Sequence, residues 1–108
     1  MITELVEGTT RRLTFTLEQP EGTAFDGTGM TVSALDIVGA DNAPVDTTGD
    51  FGWVTASAGT VYYDPDAADF NAAKSPYRVR YQITDGSGKV QWFPSGAPDT
   101  IKVYARGV

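Results

Sequence analysis

Neither cysteine nor histidine occurs anywhere in the 108 residues. The two absences together remove disulfides, thiolate nucleophiles, Cys/His zinc centres and the usual imidazole general base. Leucine is scarce, with four copies, whereas Val, Ile and Thr supply 28 residues and the aromatics 12. That balance belongs to a pleated sheet and not to a helix bundle. Positive charge is also thin: eight basic residues stand against fourteen acidic ones, for a net charge of -6, and only Arg11 and Arg12 are adjacent. No electrostatic footprint for a phosphate backbone results, so nucleic acid is not an expected partner. The apolar runs are far shorter than a bilayer requires, and the opening MITELVEGTT has no basic stretch ahead of an apolar one, so neither a membrane partner nor a secretory leader is expected.

What is present reads as one domain over residues 1–108, all-β, with seven or eight strands in an immunoglobulin-like antiparallel sandwich. RRLTFTLEQ alternates Leu13, Phe15 and Leu17 with polar residues, the period of a half-buried strand. MTVSALDIV predicts a second strand over 30–38, in which Val32 and Ala34 point one way and Leu35 and Ile37 the other. A bulge or a crossing between sheets near Ala34 reconciles the two sets, because one inserted residue flips every later side chain. GADNAPVDTTGD reads as loop with at most a short edge strand over 44–47. Phe51 and Trp53 open a strand, and Ser57, Ala58 and Gly59 connect it tightly to TVYYD, where Val61 and Tyr63 share a face. Asp64, Pro65 and Asp66 stop that strand, and DAADFNAAKS supplies a helical turn. YRVRYQIT is the clearest signal: Tyr77, Val79, Tyr81 and Ile83 line one face of a central strand, and Arg78, Arg80, Gln82 and Thr84 the other. DGSGK turns it into KVQWFP, and TIKVYAR closes the fold with Ile101 and Val103 inward. The segment ITELV is a further edge strand.

The chemistry expected of these residues is sparse. Asp64, Asp66 and Asp69 have the spacing D-x-D-x-x-D, which offers oxygen ligands to a hard cation, but the glycine and terminal Glu of a helix-loop-helix site are missing. Strand termination and helix capping explain the three aspartates, and no metal is expected. Serine and threonine hydroxyls have only Lys74, Lys89 and Lys102 as potential bases, with no motif around them, so no catalytic residue, no enzyme activity and no cofactor are assigned. Of the aromatics Trp53, Tyr62, Trp92, Phe93 and Tyr104, some must face outward if Tyr63, Tyr77 and Tyr81 face inward. Outward Trp and Tyr anchor protein interfaces or stack on sugars.

The stretch SPYRVRYQI, DGSGKV, FP and TIKV, together with the opening GTTRRLTFTL and GTGMTVSALDIV, resembles the small Ig-like domain at the N-terminus of siphophage baseplate upper proteins. The acidic GADNAPVDTTGD replaces a polar hairpin usual in that family. The trimerising helices or receptor-binding modules of longer baseplate proteins are not expected here. The resemblance therefore implies a head, neck or tail component of a phage or prophage virion (capsid or tail), made in the host cytoplasm. Such a component acts by assembly with other virion proteins, in symmetric copies or as a homo-oligomer. Edge strands pair with other chains, and apolar side chains after a glycine-rich loop are buried by neighbours. The expected contact residues are accordingly Ile2, Leu5, Val6, Phe51 and Trp53. The alternative is a recognition module for a cell-surface carbohydrate or protein, which clustered outward Trp and Tyr in a concave patch would favour.

Overall fold

Alternating side chains force a two-layered solution here, because each strand has one apolar face that must be covered. The computed structural model describes residues 2–19, 23–45, 49–94 and 99–105. Among these are eight strands: β1 (Ile2–Val6), β2 (Leu13–Thr16), β3 (Thr31–Val38), β4 (Phe51–Thr55), β5 (Thr60–Tyr63), β6 (Tyr77–Thr84), β7 (Val90–Phe93) and β8 (Asp99–Tyr104). They form two packed sheets, one of five strands in the order β1-β8-β6-β3 with β7 also on β6, and one of three in the order β2-β5-β4. The protein is all-β and sandwich-like.

β6 is central, as its alternation requires. It pairs with β3 along one edge and shares the other between β7, at Tyr81 to Thr84, and β8, at Tyr77 to Val79. Its inward residues Tyr77, Val79, Tyr81 and Ile83 are all at most 2% exposed. From the smaller sheet Leu13, Phe15, Val61 and Tyr63 meet them, with the rings of Phe15 and Tyr81 5.9 Å apart across the layers. Phe70, in the connection between β5 and β6, plugs one end of the sandwich edge-on to Tyr77 at 5.1 Å and to Tyr63 at 6.4 Å. Burial of these aromatics supplies a core without staples.

The irregularity in β3 is a bulge. The register on β6 shifts between Val32, opposite Ile83, and Ala34, opposite Gln82. Ser33 is the extra residue, and its hydroxyl donates to Gln82 Oε1 at 2.9 Å while accepting from Thr84 Oγ1 at 2.8 Å. Val32 and Leu35 thereby both pack against the core. The connection after β4 is a 3-10 turn, Ala56–Ala58, closed by Gly59 at φ 69, where an added Cβ would sit 2.3 Å from the Phe25 carbonyl oxygen. The helical turn before β6 is Ala72–Lys74, capped by Asn71, whose side chain accepts from the Ala73 N–H.

One expectation is corrected. Alternation predicts antiparallel pairing throughout, but β1 and β8 run parallel, with Leu5 beside Val103, so the larger sheet is mixed. A period of two says which face is buried and nothing of direction. β1 leads across to β2 in the other sheet instead of into a hairpin, so no tight turn fixes its sense. Of the short strand expected over 44–47, the described part is an isolated bridge between Pro44 and Val38; residues 46–48 lie outside the described residues. So do most of the PSGAP loop before β8 and Arg106, the last residue of the predicted TIKVYAR strand.

Candidate functional site

The five expected contact residues fall in two places. Ile2, Leu5 and Val6 lie on β1, the edge of the larger sheet, whose register puts Val6 beside Tyr104 and Leu5 beside Val103. Leu5 is half-buried against the core, whereas Val6 is exposed. Phe51 and Trp53 lie on β4, the edge of the smaller sheet, and both pack inward. Trp53 is engaged within the molecule: its Nε1–H donates to the Met30 carbonyl at 3.0 Å, and its ring fills the space where a Cβ on Gly27 would stand, 2.4 Å from Cη2. Trp53 thus ties the start of β3 to β4 across the open side of the sandwich.

The outward set that the alternation leaves is on the larger sheet. Among the described residues the exposed large hydrophobics are Val6, Val54, Val90, Trp92 and Tyr104. All but Val54 project from the outer face of this sheet. The parity follows from the register: Phe93 is buried opposite Tyr81, so Trp92 beside Gln82 and Val90 beside Thr84 must face out. They form two spots. Val90 and Trp92 sit next to Gln82, Thr84, Ser33 and Ala34. Tyr104 and Val6 sit at the other end, roughly 25 Å away along the strands at ~3.3 Å per residue.

Between the spots the face carries Arg78, Arg80 and Lys102 against Asp36 and Glu4, a local excess of cation on a chain of net charge -6. Arg78 donates to Asn42 Oδ1 and Arg80 to the Pro94 carbonyl. These neutral acceptors orient the guanidinium groups. Arg80 is accordingly half-buried and held, not freely solvated as its alternation predicts. A shallow pocket of about 240 Å³ opens between them, lined also by Asp36 and Val38. Tyr104 donates to Glu4 Oε2 at 2.5 Å, which lifts its phenol above the ordinary range.

The aspartates go elsewhere. Asp64 accepts from two nitrogens of Arg12, Nε at 2.7 Å and Nη2 at 3.0 Å, and the guanidinium holds its carboxyl below the ordinary value. The same guanidinium lies over the Tyr62 ring, 3.9 Å from its centroid, and Tyr62 donates to Asp50 at 3.0 Å. Asp69 accepts from the Tyr63 hydroxyl and, at 2.9 Å, from the Asp66 N–H, closing the turn after β5. Among the described residues no three acidic side chains converge as a metal site would require.

Sequence reasoning named Trp92 and Tyr104 among the aromatics to be placed but not Val90, whose signal was its opposite parity to Phe93 in KVQWFP. No protein-family model matches this chain, and no characterised protein matches it in sequence.

Proposed function

We propose that this chain is an assembly module: an Ig-like sandwich that packs against other subunits of a phage or prophage particle through the outer face of its larger sheet. The observation that carries the reading is the concentration of exposed large hydrophobics, Val90, Trp92, Tyr104 and Val6, on that one face. Beside them lie Arg78 and Arg80, and Trp, Tyr and Arg are the side chains that dominate binding at protein interfaces. The strand order supports the Ig-like part. β2-β5-β4 has the order of strands B, E and D in an immunoglobulin sandwich, and β6 lies between β3 and the pair β7 and β8 as F lies between C and G, with β1 added beside β8. Placement in a virion rests on the resemblance carried by residues 77–103.

The recognition-module alternative wanted outward aromatics gathered in a concavity. Trp92 and Tyr104 stand at opposite ends of the larger sheet and are not gathered in one patch, which favours assembly. The test is incorporation. The gene is expressed with its neighbours, and particles are purified carrying the double variant Trp92→Ser, Val90→Asp, with Thr14→Ala on the other sheet as control. The double variant is expected to stay folded and drop out of the particles while the control enters normally. Normal entry of the double variant sinks the reading, and normal entry with lost host attachment hands the face to recognition.

A further inference from the structure

The sandwich leaves strand edges open, and they are not equivalent. β1 carries Glu4 in its middle, and its Val6 carbonyl is taken by the N–H and hydroxyl of Thr9. β3 is bulged at Ser33 and partly covered by residues 43–45, with Val45 N–H donating to Ile37. β2 shows water Thr14 and Thr16 and is bracketed by Arg12 and Glu18, the polar flanks by which natural edges resist pairing. β4 reads FGWVT. It holds no charge and no proline, and the side chains on its outer face are Gly52 and Val54, the latter 50% exposed.

The backbone of β4 completes the picture. Asp64 N–H donates to the Asp50 carbonyl, and Leu17 N–H to the Gly59 carbonyl. In alternating antiparallel ladders these two bonds direct the even-numbered residues of β5 toward β4 and the odd ones toward β2. Gly52 therefore bonds to Tyr62, while the N–H and C=O of Phe51 and Trp53 point to the open edge. No described residue bonds to those four groups. The bulge at Val54, where the register on β5 shifts, ends this open stretch after Trp53.

Gly52, in the middle of this stretch, lies under the Tyr62 ring. Its φ is not in the left-handed region, and an added Cβ would meet the Tyr62 ring at 3.4 Å, an ordinary contact. A glycine inside a strand weakens it; such a glycine accompanies a bulge, as at Val54, and leaves room for another backbone to come close.

We propose that β4 is a self-pairing edge: two copies of the chain join antiparallel at β4, about a two-fold axis through Gly52, into one continuous six-stranded sheet. Phe51 of each copy exchanges both backbone hydrogen bonds with Trp53 of the other, which satisfies all four open groups twice over. Gly52 faces Gly52 as the close, non-bonded pair on the axis, and Val54 faces Asp50. Charge selects this occupant. Two copies of a chain of net charge -6 meet here with no like charges opposed, whereas pairing through β1 sets Glu4 against Glu4. The contact is isologous and closes at two copies. It is separate from the sheet face of the preceding section, and each can fail without the other.

Sedimentation over a concentration series tests it. Wild type is expected to move toward twice the chain mass of 11.5 kDa as concentration rises, with the Phe51 and Trp53 amides gaining exchange protection in step. Gly52→Asp and Gly52→Lys each place like charges face to face and are expected to be monomers with wild-type circular dichroism. Mixed together they are expected to pair with each other. Trp92→Ser is expected to dimerise as wild type does. A monomeric wild type at millimolar concentration overturns the proposal, as does either Gly52 variant that still dimerises alone, or a dimer lost in Trp92→Ser instead.

Discussion

Tyr81 is the one described side chain whose buried polar atom has no hydrogen-bond partner. Burial pushes its phenol far above the ordinary value. Tyr63 is buried to the same depth but donates to Asp69. The two residues are therefore expected to respond in opposite ways to loss of the hydroxyl. Tyr81→Phe should be neutral or stabilising by about 1 kcal/mol, since an unsatisfied group leaves the core, whereas Tyr63→Phe should cost about 1 to 2 kcal/mol. Urea midpoints with unchanged slopes decide it, and the reverse order would show that the Tyr81 hydroxyl is bonded in solution. The two tryptophans differ likewise. Trp53→Ala removes a ring wedged against Gly27 and its bond to Met30, and is expected to cost about 3 kcal/mol. Trp92→Ala, on the open face, is expected to stay within about half a kcal/mol. Equal losses would contradict this division between a structural and a surface tryptophan.

At the scale of the element, the β6–β7 hairpin rests on one carboxylate. Asp85 Oδ1 accepts from the Ser87 hydroxyl at 2.8 Å, the Ser87 N–H at 2.9 Å and the Lys89 N–H at 3.0 Å. These bonds, the hydroxyl first, hold its pKa below the ordinary 3.8. A depressed folded pKa contributes stability that is complete above the unfolded value and disappears as pH falls through the folded one. The hairpin amides of Ser87 and Lys89 are therefore expected to stay protected through mild acid and to lose protection below the ordinary carboxylate range. Asp85→Ala should lose that protection at neutral pH. Hydrogen exchange read by NMR would show it, and pH-independent protection in the wild type would refute the role given to Asp85. This turn carries Trp92 and Val90, so its geometry sets where the proposed contact face begins.

At the scale of the whole molecule, the five tyrosines behave as a set. Burial first, for Tyr63, Tyr77 and Tyr81, and hydrogen bonds to Asp50 and Glu4, for Tyr62 and Tyr104, all raise the phenol above its ordinary 10.0. Above pH 10 the unfolded chain has released protons that the folded chain still holds, so stability is full below that value and falls as pH rises beyond it. Phenolate absorbance is expected to lag behind that of free tyrosine and then to rise together with loss of the strand signal. A gradual titration with the fold intact would break the link. The same molecule shows where sequence suffices. Alternation in YRVRYQIT and LTFT fixes which side chains are buried, because a pleated strand has only two faces. The conflict between Val32 and Leu35 locates the bulge, because only an inserted residue reconciles them. Asp and Gly in DGSGK determine the hairpin, because the bonds involved are local. Tertiary structure alone decided the rest. It set β1 parallel to β8, turned Trp53 inward onto Gly27, left Val90, Trp92, Tyr104 and Val6 on one outer face, and left the Phe51 and Trp53 backbone open. Each of these depends on which strands become neighbours, and period-two patterning records the face of a strand but not its partner.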